Sequence, residues 1–265
     1  MLVRQMLAGV AEAVELDANE LNDISTAVTE ACNNVVLHAY AGAEGPLEVE
    51  LYALPGTVEV VVRDHGGGIP AAGAASEQAG IGLSVIQTLA ERSDFRVVKD
   101  IGTEVWMTFV APQARAPAPL SDDELKQPAP VASQPAGSEP AGAIEITVAP
   151  APLAWAILPR LLSALAARAH FRTDRIADIQ LVADALTAQV PASIRGSHLS
   201  IGISVEPRDL ELRIAPLLAG HAKDLIVDSA GGLGPLIGKL TTSQRVATLG
   251  SSDDEMLALR LHDRR

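Results

Sequence analysis

Three blocks of this 265-residue sequence occur twice, in the same order and at nearly constant offsets. Leu16–Val36 resembles Phe171–Val190, with Asp23-Ile24 falling on Asp178-Ile179 and Val35 on Val190. Leu54–Asp64 matches Glu206–Pro216, and Ala79–Ala90 matches Gly231–Thr242. Three collinear blocks imply a tandem duplication, and two copies are too few for a solenoid. The sequence therefore predicts two globular domains of one fold, residues 1–110 and 143–265. Between them, residues 111–142 hold seven of the chain's 17 prolines. A Pro/Ala-rich stretch has little to bury and favours extended conformations, so it reads as a linker.

The copies differ at one end. Ala143–Ala149 alternates as a strand does. The first copy has no equivalent, because Met1 already lies in the helix that would follow. Either the first domain lacks an edge strand or the true start lies upstream. Beyond that point the pattern predicts helices over Leu2–Val14 and Asn19–His38, and strands over Leu47–Leu54 and Thr57–Arg63. A Gly/Ala-rich loop over Gly66–Gly80 follows, then a helix over Ile81–Arg92 and strands over Phe95–Asp100 and Thr103–Val110. This order gives an α+β sandwich, an antiparallel or mixed sheet with helices on one face.

Hydrophobic residues make up 48% of the chain, enough to exclude wholesale disorder. Aromatics are only 3%, so the cores must be built from Ala, Val, Leu and Ile. A formal charge of -13 is the wrong sign for binding nucleic acid or an anionic membrane surface. A single cysteine, Cys32, excludes an internal disulfide framework and a Cys-rich zinc site. The six histidines are scattered without metal-ligand spacing. The longest apolar region, Ile146–Leu158, is too short to span a bilayer and is broken by Pro150 and Pro152. With no visible secretory signal, the expected location is the cytoplasm.

Four features could carry chemistry. Asn22, Thr26, Glu30, Asn34 and His38 are spaced by four and form one polar ridge on the second helix. Periodicity alone makes this a solvated face, although Glu30 and Asn34 on adjacent turns also suit an acid/base group beside a hard-cation ligand. Asp64 to Pro70, DHGGGIP, follows a strand with three glycines that permit close backbone approach. Ala79 to Ile86, AGIGLSVI, places a glycine pair at the opening of a helix, a potential anion site. Gly102-Thr103 lies at a turn between strands. Each feature alone is also ordinary turn or packing chemistry.

Taken together, EACNNVVLHAY, RDHGGGIP, AGIGLSVIQTLAER and GTEVWMTF resemble the four ordered boxes of the GHKL (Bergerat-fold) ATPase superfamily. Within it, the chain is most similar to bacterial anti-sigma-factor serine/threonine kinases. The resemblance covers Met1 to about Val110 and is faint again from Ala143 to Leu261. It implies two tandem GHKL-type sandwiches with ATP and Mg2+ as cofactors. It implies that Asn34 coordinates magnesium and that Glu30 is the general base for a partner's hydroxyl. Asp64 would bind the adenine amino group, Gly66 and Gly68 would shape its pocket, and Gly80 and Gly82 would hold the phosphates. Thr103 would support the adenine contact through water.

The lid, Ile69–Gln78, departs from the family by carrying no Lys or Arg. The second copy has lost the chemistry: Glu30 aligns with Ala185, Asn34 with Gln189, Asp64 with Pro216, and Gly102-Thr103 with Asp253-Asp254. It is therefore expected to bind no nucleotide. The implied partners are a sigma factor and a STAS-type anti-anti-sigma protein. The alternative function is an ATP-gated module that sequesters a partner without catalysis. The expected assembly is a monomeric pseudo-dimer or a homodimer.

Overall fold

The computed structural model describes residues 2–40, 43, 45–66, 77–98, 102–115, 144–227, 234–250 and 253–263. Gly68, most of the lid and most of the linker lie outside these residues.

The first half begins with α1, Leu2–Val14, and α2, Ala18–Asn34. Glu15, at φ +61, turns the chain out of α1, and Asp17 caps the start of α2. Its carboxylate accepts from the N–H groups of Asn19 and Glu20 at 2.7 and 2.9 Å, and Glu20 accepts from the Asp17 N–H. This reciprocal capping box satisfies donors that a helix start leaves free. The predicted α-helix to His38 ends earlier, and Val35–Ala39 is a π-helical turn. Then come β1, Leu47–Leu54; β2, Thr57–Asp64; α3, Glu77–Leu89; β3, Arg92–Val98; and β4, Gly102–Val110. Helix α3 thus starts four residues before the expected Ile81.

The second half opens with β5, Ile144–Ala149, followed by α4, Leu153–Arg168, and α5, Thr173–Gln189. After a 3-10 turn at Val190–Ser193 come β6, Leu199–Glu206, and β7, Asp209–Leu217. The short α6, His221–Asp224, precedes α7, Gly234–Leu240; β8, Ser243–Thr248; and β9, Glu255–His262.

All nine strands among the described residues join one mixed sheet in the order β3-β4-β2-β1-β5-β6-β7-β9-β8. Strand β5 lies between the halves. It pairs in parallel with β1, Leu47 opposite Ile144 through Tyr52 opposite Ala149, and antiparallel with β6. The edge of the first half's sheet is therefore covered by a strand that the second half supplies.

Every described helix sends residues into one core on a single face of this sheet. Val49, Leu51, Val58, Val60, Val62, Val105 and Met107 point there from the first half, and Leu199, Ile201, Leu212 and Leu259 from the second. The period of two sends the intervening residues to the opposite face. Above the seam, α1 crosses α4 closely, because a Cβ on Gly9 would meet the Ala156 carbonyl O at 2.5 Å.

The opposite face of the first half is polar. Arg63 pairs with both Glu50 and Glu104, and Tyr52 donates to Glu50 at 2.8 Å. The guanidinium carbons of Arg63 and Arg96 lie 5.9 and 5.6 Å from the Trp106 ring centroid, within reach of a cation–π interaction. Burial pushes the Glu104 carboxyl up. Hydrogen bonds from Arg63 and Trp106 and the charges of Arg63 and Arg96 together outweigh this and hold it below its ordinary value.

Asp263 ties the far end of the second half together. Its buried carboxylate accepts from the N–H and Nε of Arg172, both at 2.9 Å, and from Arg208 Nη2 at 3.1 Å. These bonds, led by the one from the Arg172 side chain, hold its pKa well below the ordinary aspartate range. A depressed folded-state pKa stabilises the fold above the unfolded value of about 3.9, and that stability is lost as pH falls through the folded value. Asp263→Asn should lower the urea midpoint at neutral pH. Its deficit against the wild type should shrink once the pH drops below about 4. A deficit independent of pH would contradict this role.

Candidate functional site

The candidate residues converge where α2, the π-helical turn, the end of β2, α3 and the start of β4 meet. Ala31, Val35, Ala39, Val62, Leu83 and Val105 line a cleft there. Its polar members are Asn34, His38, Asp64 and Thr103. An apolar slab with few polar groups at its edge suits a flat heterocycle bearing one or two hydrogen-bonding groups.

Asp64 is the hub of the cleft. It ends β2, is 6% exposed, and its Oδ1 accepts from Gly66 N–H at 2.8 Å and Thr103 N–H at 3.3 Å. Among the described residues no donor reaches Oδ2, which leaves an acceptor for an exocyclic amine. Among the described residues Thr103 Oγ1 is buried without a partner. Buried hydroxyls are rarely left so, which marks the place where a ligand atom or a water belongs. These two unfilled acceptors fit an adenine ring better than a hydrocarbon.

Two glycines make this hub possible. A Cβ on Gly66 would overlap the Ala39 carbonyl, so the chain leaving β2 runs directly beneath the π-helical turn. Gly102 has φ +133, and its Cβ would overlap the Asp64 carbonyl O. That left-handed backbone favours glycine and lets the start of β4 lie against the end of β2.

Tyr40, which sequence reading gave no role, braces the same corner. Its hydroxyl accepts from His65 N–H at 2.9 Å and donates to the Pro46 carbonyl. The ring occupies the space a Cβ on Gly45 would need. Tyr40 thereby fixes the residue that follows Asp64. Its place at the end of EACNNVVLHAY was the only available signal.

The polar ridge of α2 is partly absorbed into the site. Glu30 and Asn34 are half-buried and face α3, whereas Asn22 stays exposed. A Cβ on Gly82 would lie 3.3 Å from Glu30 Oε2 and 3.5 Å from Asn34 Oδ1. Gly82 thus leaves open the space into which both oxygens point. The free N–H groups of a helix belong to its first four residues, here Glu77–Gly80. Gly80 is the last of these donors, and Gly82 already lies in the second turn. The π-helical turn widens the chain so that His38 shares the cleft wall with Asn34. π-Turns are often found at functional sites.

A carboxylate and an amide oxygen at the same gap are hard oxygen donors. The Asn34 oxygen suits a magnesium ion that takes its other ligands from phosphates and water, and the Glu30 carboxylate beside it suits an acid/base group. Among the described residues no group of three or more His, Cys, Asp or Glu could hold a metal ion alone. Cys32, beside this helix face, is buried, and burial pushes its thiol up to about 12, so it stays protonated and inert. No helix among the described residues is long and apolar enough to cross a membrane.

An α+β sandwich with an aspartate hub, glycine close approaches and an oxygen pair on the adjoining helix defines a nucleotide-binding class of protein. The chain belongs to the histidine kinase-like ATPase domain family, whose model matches residues 1–109. It is similar to the anti-sigma F factor of Caldanaerobacter subterraneus subsp. tengcongensis, 30% identical over 115 residues, covering 40% of this chain and 80% of that relative. It is also similar to the serine-protein kinase RsbW of Bacillus cereus (strain AH820), 27% identical over 121 residues, covering 40% of this chain and 74% of that relative.

Two glycine variants separate structure from binding. Gly102→Ala should destabilise the fold on the order of 2 kcal/mol, read as a urea-midpoint shift, because backbone strain and overlap coincide. Gly82→Ala should leave that midpoint near the wild type, because its nearest neighbour is the movable end of Glu30, yet weaken Mg-ATP binding in calorimetry. Equal stability of the two variants would contradict the assigned close approaches.

Proposed function

We propose that this chain is an ATP-dependent protein serine/threonine kinase of the anti-sigma-factor type. In this reading it inhibits a sigma factor and phosphorylates a STAS-type anti-anti-sigma protein. The observation that carries the proposal is the pair of oxygens, Glu30 Oε2 and Asn34 Oδ1, at the gap left by Gly82, beside a cleft with an aspartate at its far edge. The two relatives, an anti-sigma factor and a serine-protein kinase, support the same reading.

Asp64 Oδ2 accepts the adenine amino group, while Oδ1 keeps the Gly66 and Thr103 backbone in place. Thr103 Oγ1 serves the ring through a water. Gly66 and Gly68 shape the adenine pocket, and Gly80 and Gly82 leave room for the phosphates. Asn34 would hold the magnesium ion, which would neutralise phosphate charge. Glu30 takes the proton from the partner's serine or threonine hydroxyl as that oxygen attacks the γ-phosphorus and ADP departs. Positioning and electrostatics supply most of such catalysis.

The second half is proposed to be a degenerate copy of the first, joined by the linker, that binds no nucleotide. Ala185, Gln189 and Pro216 stand where the base, the metal ligand and the adenine acceptor would be. The protein is proposed to act in the cytoplasm as a monomer whose halves pair as two subunits would.

Glu30→Gln should lower the phosphorylation rate of a STAS partner by about 10²-fold or more, the usual yield of general-base catalysis, while Mg-ATP affinity stays close to wild type. Asp64→Asn should instead abolish binding, and wild-type calorimetry should give one nucleotide per chain. Retained transfer in Glu30→Gln would remove the base assignment. Wild-type ATP binding without transfer would favour a non-catalytic, ATP-gated module.

A further inference from the structure

The second half repeats the walls of the candidate cleft in the same order. Helix α5 stands for α2, the 3-10 turn for the π-helical turn, and the end of β7 for the end of β2. Helix α7 stands for α3, and the start of β9 for the start of β4. Between these walls runs the chain itself. Residues 218–227 leave β7 at the 3-10 turn, pass the start of β9 and reach α7. Leu218 N–H donates to the Ser193 carbonyl at 2.7 Å, and His221 Nδ1 lies 3.3 Å from Ser193 Oγ. Ala222 N–H donates to Glu255 Oε2 at 3.0 Å. Ala222 and Leu225 are 0% and 3% exposed and belong to the common core.

A matched pair of glycines shows the contrast. A Cβ on Gly82 would meet only movable side-chain ends, Glu30 Oε2 at 3.3 Å and Asn34 Oδ1 at 3.5 Å. A Cβ on the matching Gly234 would meet the Val227 carbonyl O at 2.4 Å. One turn later, a Cβ on Gly238 would lie 3.3 Å from the Ile226 carbonyl O. The gap that α3 leaves open is thus filled, on α7, by backbone. The carboxylate has changed walls as well. Asp64 at the end of β2 accepts a loop N–H in the first half, whereas Pro216 stands at the end of β7 and Glu255 at the start of β9 accepts instead. Such a charge-assisted bond is among the stronger ones available to a loop.

We propose that residues 221–227 are a built-in occupant of the second cleft and hold that half permanently closed. The inference rests on the second half being a copy of the first. It adds to the lost site residues a second reason for silence, because a nucleotide would have to displace a packed segment. The first half completes its cleft with a ligand, and the second completes its own with chain. One half of the pseudo-dimer therefore answers to nucleotide and the other does not.

The test follows amide hydrogen exchange of the whole chain by NMR, with and without Mg-ATP. The Leu225 and Val227 N–H groups are bonded to the His221 and Lys223 carbonyls, both at 3.1 Å. These amides and that of Ala222 should exchange slowly before ATP is added and keep their rates afterwards. Glu255→Ala should speed Ala222 exchange by about tenfold or more. Glu255→Gln keeps an oxygen acceptor and should restore most of the protection. Gly234→Ala should speed exchange at Leu225 and Val227 if it folds, and Glu255→Ala decides the matter if it does not. Unprotected Ala222 and Val227 amides in the wild type, further slowing by Mg-ATP, or an unchanged Ala222 rate in Glu255→Ala would each overturn the proposal. Calorimetry tests the underlying copy separately. Two nucleotides per chain would remove the degenerate assignment and the built-in occupant together, whereas one nucleotide with fast Ala222 exchange would remove the occupant alone.

Discussion

The pairing of β5 on both of its edges is the constraint on which the rest of the molecule depends. A strand at a sheet edge exposes unpaired N–H and C=O groups and invites wrong partners. Strand β1 would be such an edge. Instead its backbone is paired along Leu47–Tyr52 with β5, whose other side is paired with β6. Ile146 and Val148 then complete a floor shared by both halves, over which α1 and α4 close. One core results, although residues 111–142 read as a break in the chain.

That floor also fixes the candidate cleft. Strand β2 is held by β1 on one side and β4 on the other, so Asp64 at its end cannot drift from Thr103. Gly66, Gly82 and Gly102 act at three different contacts. Gly66 and Gly102 let the loop and β4 approach the π-helical turn and β2 more closely than any side chain would allow, and Gly82 leaves open the gap beside Glu30 and Asn34. The site is thus a set of close backbone approaches around a Thr103 hydroxyl that has no partner among the described residues. Such unfilled acceptors are tolerated where a ligand supplies the missing partner.

Much of this was legible in the chain. The alternation in Leu47–Leu54 and Thr57–Arg63 fixed which residues face the core, because the strand period leaves one solution. The ordered boxes carried Glu30, Asn34, Asp64 and Thr103 to one family. Less legible were local choices between near-equal backbone states. The π-helical turn at Val35–Ala39 follows an unbroken helical pattern and forms where the chain packs over Gly66. The start of α3 at Glu77 came from a Gly/Ala-rich stretch that gave no apolar period. Tyr40 was visible in its motif, yet its bond to the His65 N–H joins residues far apart in sequence.

The sequence by itself determined the α+β class and the strand faces, and it singled out Glu30, Asn34, Asp64 and Thr103 as candidates for one site. Those properties follow from local periodicity and from side-chain chemistry that stays with the residue wherever it is placed. Only the tertiary structure decided that Ile144–Ala149 lies between the halves and that the nine described strands form one sheet. Strand pairing is a long-range choice made by backbone groups common to every residue, so alternation could mark β5 as a strand but could not name its neighbours.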